Sequence, residues 1–475
     1  MTKPAEIGAR SALGEAYLEG RLAQARLSGE FRPSRREDVT EIERLDSGER
    51  KAAIARAIAA LRRGEVGYAV LAAGASTRMN LAEVPPEARR LLERAGRGEI
   101  KSKAMVPVVE LGGRVLSFLD LFLANVVRFS RETRTSCPLV VLVSEANREE
   151  IEGHIGRVAE IAADAVLSFR QTLDPQIVAA AADVERSHKN FATERDVASA
   201  LELARRFAGC ELAIRKPGGH GEFLHQLVSS GTLARLLRRG VRYLAVRNID
   251  NVGGLLDDRW LVIFGRMIEA ERNLVVEVSR RPDGPAGKGG ALIVRPSCDF
   301  ELAEDPAFAG TGVDPRGSYY INNATAILNV EYLFRIYETS KAEILGSPSA
   351  KLAAIAERGR RKFPVLIDVK PVRLSTGQIA GAFVRETNLW ESTGVERGLG
   401  IDAAGVASVK DVEEGFEQAS SEEQRERAQR VRFAATKKWE DYAGINARLV
   451  PHLARRILEG PLVAAFGESH HKRPN

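Results

Sequence analysis

Tyr68-Ala-Val-Leu-Ala-Ala-Gly-Ala-Ser-Thr-Arg-Met79 is an apolar run that stops in a small-residue loop closed by an arginine. Tyr68 to Ala72 suit a short buried strand, and Ala73, Gly74, Ala75 and Ser76 leave room for a ligand against the backbone. Arg78 adds a fixed positive charge. Backbone N–H groups converging beside a guanidinium suit a polyphosphate, because each phosphate oxygen needs a donor and a compensating charge. An ordinary strand-to-turn connection fits the same residues, so the stretch alone leaves both readings open.

Downstream, the pattern of that first strand repeats. Leu116 to Val127 has helical spacing, Leu139 to Val143 is fully apolar, Arg148 to Ala162 is helical again, and Ala165 to Phe169 is a further strand. Short Val/Leu runs alternating with amphipathic helices predict an α/β fold with a doubly wound, mostly parallel, Rossmann-like sheet, whose ligands bind at the carboxyl ends of the strands. Upstream, residues 1–64 read as a helical lead-in, with Ala52 to Leu61 spaced as a helix that Gly64 stops. Residues 81–100, with a Pro-Pro pair, read as an insertion over the mouth of the site. Residues 65–385 are taken as the α/β domain and 386–475 as a small, mainly helical C-terminal region.

The chain has 475 residues, long enough for two or three domains. Its formal charge of +6 is spread over 70 basic and 64 acidic side chains, with no basic run interleaved with aromatics, so nucleic acid is not the expected partner. Cys137, Cys210 and Cys298 form no CxxC pair, which argues against a disulfide framework or zinc site. No stretch approaches the ~18 apolar residues of a spanning helix, and the N-terminus lacks a secretory pattern; a cytoplasmic protein without a membrane partner is expected.

Several polar residues fall at strand ends or in glycine turns. Lys101 and Lys103 precede the apolar Val106 to Val109; Gln171 ends the strand after Phe169; Lys216-Pro-Gly-Gly-His-Gly-Glu222 breaks all periodicity around His220. Glycines on both sides let that imidazole and the adjoining backbone approach a ligand closely. Val241 to Asp250 is a strand ending in Asn248 and Asp250, where a carboxylate can hold magnesium, although an Asx turn or helix cap would use the same residues. Tyr319 to Asn323 ends in paired amides that suit sugar hydroxyls or ordinary turns.

In this order, over roughly residues 65 to 415, the motifs resemble the UDP-glucose pyrophosphorylase family of nucleotide-sugar pyrophosphorylases, whose fold is the nucleotide-diphospho-sugar transferase type. Leu71 to Met79 looks like the family's triphosphate loop, Lys101-Ser-Lys103 its Lys-Ser segment, Phe169-Arg-Gln171 its base-reading loop, Pro217 to Glu222 its Pro-Gly-His-Gly turn, and Val246 to Gly254 its metal-side strand end. Glu277, Lys288-Gly-Gly290, Asn322-Asn323, Arg385-Glu-Thr387 and Ser408-Val-Lys410 follow in family order. The resemblance implies catalytic roles for Arg78, Lys103, Asp250 and Lys410, and nucleotide binding by Leu71, Ala72, Ala73, Gly74, Gln171, Gly219 and Asn248, with Arg247 nearby. It further implies sugar-phosphate binding by His220, Glu277, Gly290 and Asn323, with Mg²⁺ on Asp250. The implied reaction joins UTP and a sugar 1-phosphate, glucose 1-phosphate first, into a UDP-sugar and pyrophosphate. The implied alternatives are an N-acetylhexosamine or broad-specificity enzyme, or a non-catalytic nucleotide-sugar sensor. Two departures stand out: Ala73-Gly-Ala-Ser-Thr77 replaces the family's Gly-Gly-Leu-Gly-Thr, and the tail is helical where many relatives are strand-rich. A dinucleotide-dependent dehydrogenase is disfavoured because the first loop lacks G-x-G-x-x-G.

Overall fold

The computed structural model describes residues 4–20, 22, 26–74, 84–96, 102–157, 166–171, 173–282, 289–296, 299–436, 439, 441–442 and 448–458. The fold is mixed α/β around a mostly parallel central sheet. From one edge, its main path runs Thr40–Glu41, Ile401–Gly405, Leu274–Arg280, Tyr320–Asn329, Tyr243–Asn248, Val66–Leu71, Leu139–Ser144 and Val166–Gln171. Neighbours on this path are parallel except Tyr320–Asn329, which is antiparallel to the strands on both sides.

Strand alternation in the opening stretch divides the core. Tyr68, Val70 and Ala72 enter one apolar layer, while Ala69, Leu71 and Ala73 enter the other, as period-2 side chains on a sheet covered on both faces must. The first layer holds the helices Ser47–Arg62, Phe118–Thr133 and Asp258–Glu269, locked by edge-on contacts among Tyr68, Phe129 and Trp260 with centroids 5.6–6.2 Å apart. The second layer holds Glu222–Ser229, Thr232–Arg238, Val330–Ile336 and Ser349–Arg360.

Three sequence expectations need correction. The lead-in is not purely helical: beside Ala12–Leu18 and Ser47–Arg62 it contributes Ile7–Arg10, Arg32–Pro33 and Thr40–Glu41, each paired to a strand far along the chain. These pieces are too short for periodicity to reveal. Residues 366–386, most of them within the expected 65–385 α/β domain, do not join the central sheet. They form a hairpin, Leu366–Arg373 with Ile379–Glu386, in a separate five-stranded antiparallel sheet with Leu173–Val178, Cys210–Pro217 and Ile7–Arg10. Finally, the sheet does not end at residue 385, since Ile401–Gly405 pairs with Leu274–Val278 inside it. Of the 81–100 segment, helix Pro86–Arg94 buries Ala88 and Leu92 in the first core layer; residues 81–83 and 97–100 lie outside the described residues. Among the described residues, no helix is long and apolar enough to cross a membrane.

Candidate functional site

The carboxyl ends of the parallel strands bring most of the expected residues to one edge of the sheet. Leu71 and Asn248 are register partners on adjacent strands, and Ile249 N–H donates to Leu71 O at 3.3 Å. The chain then leaves through Ala72 and Ala73, both buried, to Gly74, whose carbonyl accepts from Lys103 N–H at 3.3 Å. Among the described residues, a methyl at Gly74 would meet nothing within 4 Å. Arg78 lies outside the described residues, as do Lys101, Lys288 and Cys298.

Asn147 organises this mouth and was not anticipated from sequence. Its Nδ2 donates to Ala72 O at 3.0 Å and to Ser102 Oγ at 3.1 Å, while its Oδ1 accepts from Ser144 N–H at 2.8 Å. One amide therefore ties the first loop, the Lys103 turn and a third strand end together. The available signal was a short polar residue just past an apolar strand, a feature common to many turns.

Lys103 pairs with Asp250. Its Nζ lies 2.6 Å from Asp250 Oδ2, with both side chains largely but not fully covered, at 16% and 12% exposure. An ammonium and a carboxylate are thus poised beside the first loop, able to exchange partners when a charged ligand enters.

The second half of the rim surrounds the glycine turn. Gly219 has φ +92°, and a Cβ there would collide with the Thr387 backbone, so glycine is required both by conformation and by space. Thr387 N–H donates to Gly218 O at 2.8 Å and Gly221 N–H to Thr387 O at 2.9 Å, clamping the turn onto the end of Ile379–Glu386. Gln171 Nε2 donates to Gly219 O, bringing those two residues together. His220 Nδ1 accepts from Leu389 N–H at 3.1 Å. In the neutral ring that places the proton on Nε2, making it a donor.

The sugar-side residues are placed less uniformly. Gly290 O accepts from Asn322 N–H at 3.0 Å, and a Cβ at Gly290 would stand 3.1 Å from Glu304 Oε1. Asn323 is fully buried with Oδ1 accepting from Ser279 Oγ at 2.8 Å; its Nδ2 has no partner among the described residues. A buried amide donor left open is a place for a ligand oxygen. Glu277 has no exposed surface, and both of its oxygens accept from Arg432, at 2.9 and 2.6 Å. It is thus enclosed by protein rather than presented at the mouth.

Two expected neighbours are held by other partners. Arg247 precedes Asn248 on a strand, so its side chain must leave by the opposite face. It is buried over the Phe122 ring at 4.9 Å and donates to Gly254 O at 2.5 Å; burial pushes its pKa down to about 10. Lys410 opens the short helix Lys410–Glu413, with its half-exposed ammonium 2.5 Å from Glu413 Oε2.

A segment overlooked in the sequence takes the place next to Asp250. Thr436 N–H donates to Asp250 O at 3.1 Å, Ala434 N–H to Asn251 Oδ1 at 2.9 Å, and Val252 N–H to Ala434 O at 3.2 Å. The sequence continues directly into Lys437 and Lys438, which lie outside the described residues.

The mixed α/β fold with its mostly parallel central sheet matches that of solved UDP-sugar pyrophosphorylases. The uridine diphosphate N-acetylglucosamine pyrophosphorylase of Trypanosoma brucei superposes with a TM-score of 0.53 at 14% identity, covering 94% of this chain and 87% of that one. The UDP-glucose phosphorylase of the same organism gives 0.54 at 18% identity, covering 91% and 74%. In sequence, residues 98–304 match the family model for UTP--glucose-1-phosphate uridylyltransferase. A probable UTP--glucose-1-phosphate uridylyltransferase of Schizosaccharomyces pombe is 27% identical over 177 residues, covering 37% of this chain and 30% of that relative. The chain is thus similar in sequence to UTP--glucose-1-phosphate uridylyltransferases over part of its length, and it spans under a third of the length of that relative.

Proposed function

We propose that this protein is a UTP–sugar-1-phosphate uridylyltransferase, forming a UDP-sugar and pyrophosphate, with glucose 1-phosphate as the first candidate substrate. The observation that carries this reading is the Lys103–Asp250 pair, 2.6 Å apart, with Lys103 bonded through its N–H to Gly74 of the first loop. A sugar phosphate oxygen would attack the α-phosphorus of UTP in line with the departing pyrophosphate. The attacking oxygen already bears charge, so the protein needs no side-chain nucleophile, and its work is positioning and charge neutralisation. Gln171 and Gly219 suit the base side, His220 Nε2 and Asn323 Nδ2 are donors for the sugar phosphate, and Lys103 is available to the phosphates.

Magnesium fits this donor set. Among the described residues no group of three His, Cys, Asp or Glu could hold a metal, whereas magnesium commonly binds through one or two carboxylates and substrate phosphates. Asp250 is the carboxylate that would hold it, and the ion would offset phosphate charge when bound. A non-catalytic sensor would bind the same ligands without turnover.

The test is pyrophosphate release from UTP with a panel of glucose, galactose and N-acetylhexosamine 1-phosphates. Release with at least one of them, dependent on magnesium, is expected. Tight UTP binding without release for any sugar would replace the enzyme reading with the sensor. The pattern across the panel decides between glucose, N-acetylhexosamine and broad specificity.

A further inference from the structure

The loop that begins at Asp250 ends at Asp257, which caps the helix Asp258–Glu269 by accepting from Trp260 N–H at 3.0 Å. Segment 431–436 lies along this loop through the three backbone and amide bonds given above. The fit leaves no slack at Gly253, where a Cβ would stand 2.8 Å from the Arg432 carbonyl carbon. From the same segment Arg432 enters the interior with 1% exposure and uses all three of its nitrogens. Nε and Nη2 pair with the two oxygens of Glu277, while Nη1 donates to Leu255 O at 3.0 Å and to Asp257 Oδ1 at 2.8 Å. The neighbouring carbonyl, Gly254 O, is held from behind by Arg247.

One guanidinium thus joins a central strand, the far end of the Asp250 loop and the cap of the following helix. A planar fork can satisfy these acceptors together; an ammonium cannot match that geometry. Nor is stability a sufficient reason for such a group, because a well-packed apolar replacement for a buried ion pair is often as stable. Position is what the arrangement supplies.

We propose that Arg432 is a positioning residue for the transfer reaction, acting through the 250–257 loop to set Asp250 at the phosphate end of the site. The inference rests on the uridylyltransferase reading for its consequence in turnover, but not for its effect on the loop.

The experiment compares full-length wild type with Arg432→Lys and Gly253→Ala. Gly253→Ala pushes the segment off the loop while leaving every charge in place. Hydrogen exchange is read across residues 250–257 and, as control, across the 139–144 strand. Turnover is read per folded molecule as a function of magnesium and of sugar 1-phosphate. In both variants loop exchange is expected to rise at least tenfold with the control strand unchanged. kcat should fall about 10- to 100-fold and the half-activating magnesium concentration rise at least fivefold, with KM for the sugar phosphate within twofold. Unchanged loop exchange in a folded variant overturns the inference, and so does faster exchange with unchanged kcat and magnesium dependence. If Arg432→Lys does not fold, Gly253→Ala decides by the same criteria. A wild-type protein without turnover would overturn the uridylyltransferase reading instead, while loop exchange still reads the coupling.

Discussion

Lys103 and Asp250 neutralise each other across 147 positions of chain, and their partial exposure sets what each can do. Neither charge is sealed, so an incoming phosphate can draw the ammonium and a metal the carboxylate without a fully buried ion being stranded. Lys103→Ala and Asp250→Ala should each lower kcat by about 10²- to 10³-fold, the usual cost of losing one transition-state charge contact, with circular dichroism unchanged. The second lysine expected at the phosphates is a sharper question. Lys410 is half-exposed and paired with Glu413. Lys410→Ala should therefore lower kcat less than threefold; a fall of 100-fold or more would give Lys410 the role at the phosphates. Lys410 was assigned that role by resemblance, through Ser408-Val-Lys410 in family order. The chain crossing that brings residue 436 to residue 250 leaves no local trace.

At the scale of elements, the turn Leu389–Gly394 shows how the site is supported from beneath. Asn388 Nδ2 donates to Glu304 Oε1 at 2.9 Å, and Glu391 Oε1 accepts from Glu304 N–H at 3.1 Å. Burial, with Glu304 and Glu301 close by, pushes the Glu391 pKa up to about 8. The folded protein keeps this proton where the unfolded chain has released it. Stability from this group is therefore full below about pH 4.5 and is lost as pH rises through 8. Glu391→Gln removes the titration while keeping an acceptor. It should match wild type within about 1 kcal/mol at pH 5.5 and exceed it by on the order of 3 kcal/mol at pH 8.5. Urea unfolding at the two pH values measures the difference, and parallel pH profiles for both proteins would show that Glu391 is ionised in the fold. Elements of this kind divide sharply in legibility. The 66–71 and 139–144 strands were plain as apolar runs, and the 217–222 turn was plain from its glycines. Leu173–Val178 was not, because Pro175 and alternating polar residues weaken a strand whose Pro175 falls at an irregular pairing with Arg215.

For the whole molecule, the remaining question is whether the C-terminal region is an appendage or part of the catalytic body. Helix Val450–Leu458 buries Val450, Leu453, Ala454, Ile457 and Leu458 in the core layer that holds Tyr68 and Phe118–Phe122. Tyr442 Oη donates to Pro107 O at 2.8 Å, anchoring the tail just beyond the Lys103 turn. Four large side chains at about 1.5–3 kcal/mol each amount to on the order of 6–12 kcal/mol, as much as the net stability of a typical domain, about 5–15 kcal/mol. Loss of Arg432 would add the cost of a fully buried, unpaired Glu277, about 3–5 kcal/mol. A chain ending at Glu414 should therefore lose its cooperative unfolding transition in calorimetry and its near-ultraviolet dichroism, rather than survive as a smaller enzyme. Composition gave no sign of this, since the tail reads as charged and largely helical. A truncated protein with a sharp transition near the full-length Tm would show that the catalytic body folds without the tail. It would also leave Asp250 without the segment that, in the intact chain, holds its loop from Thr436 to Arg432.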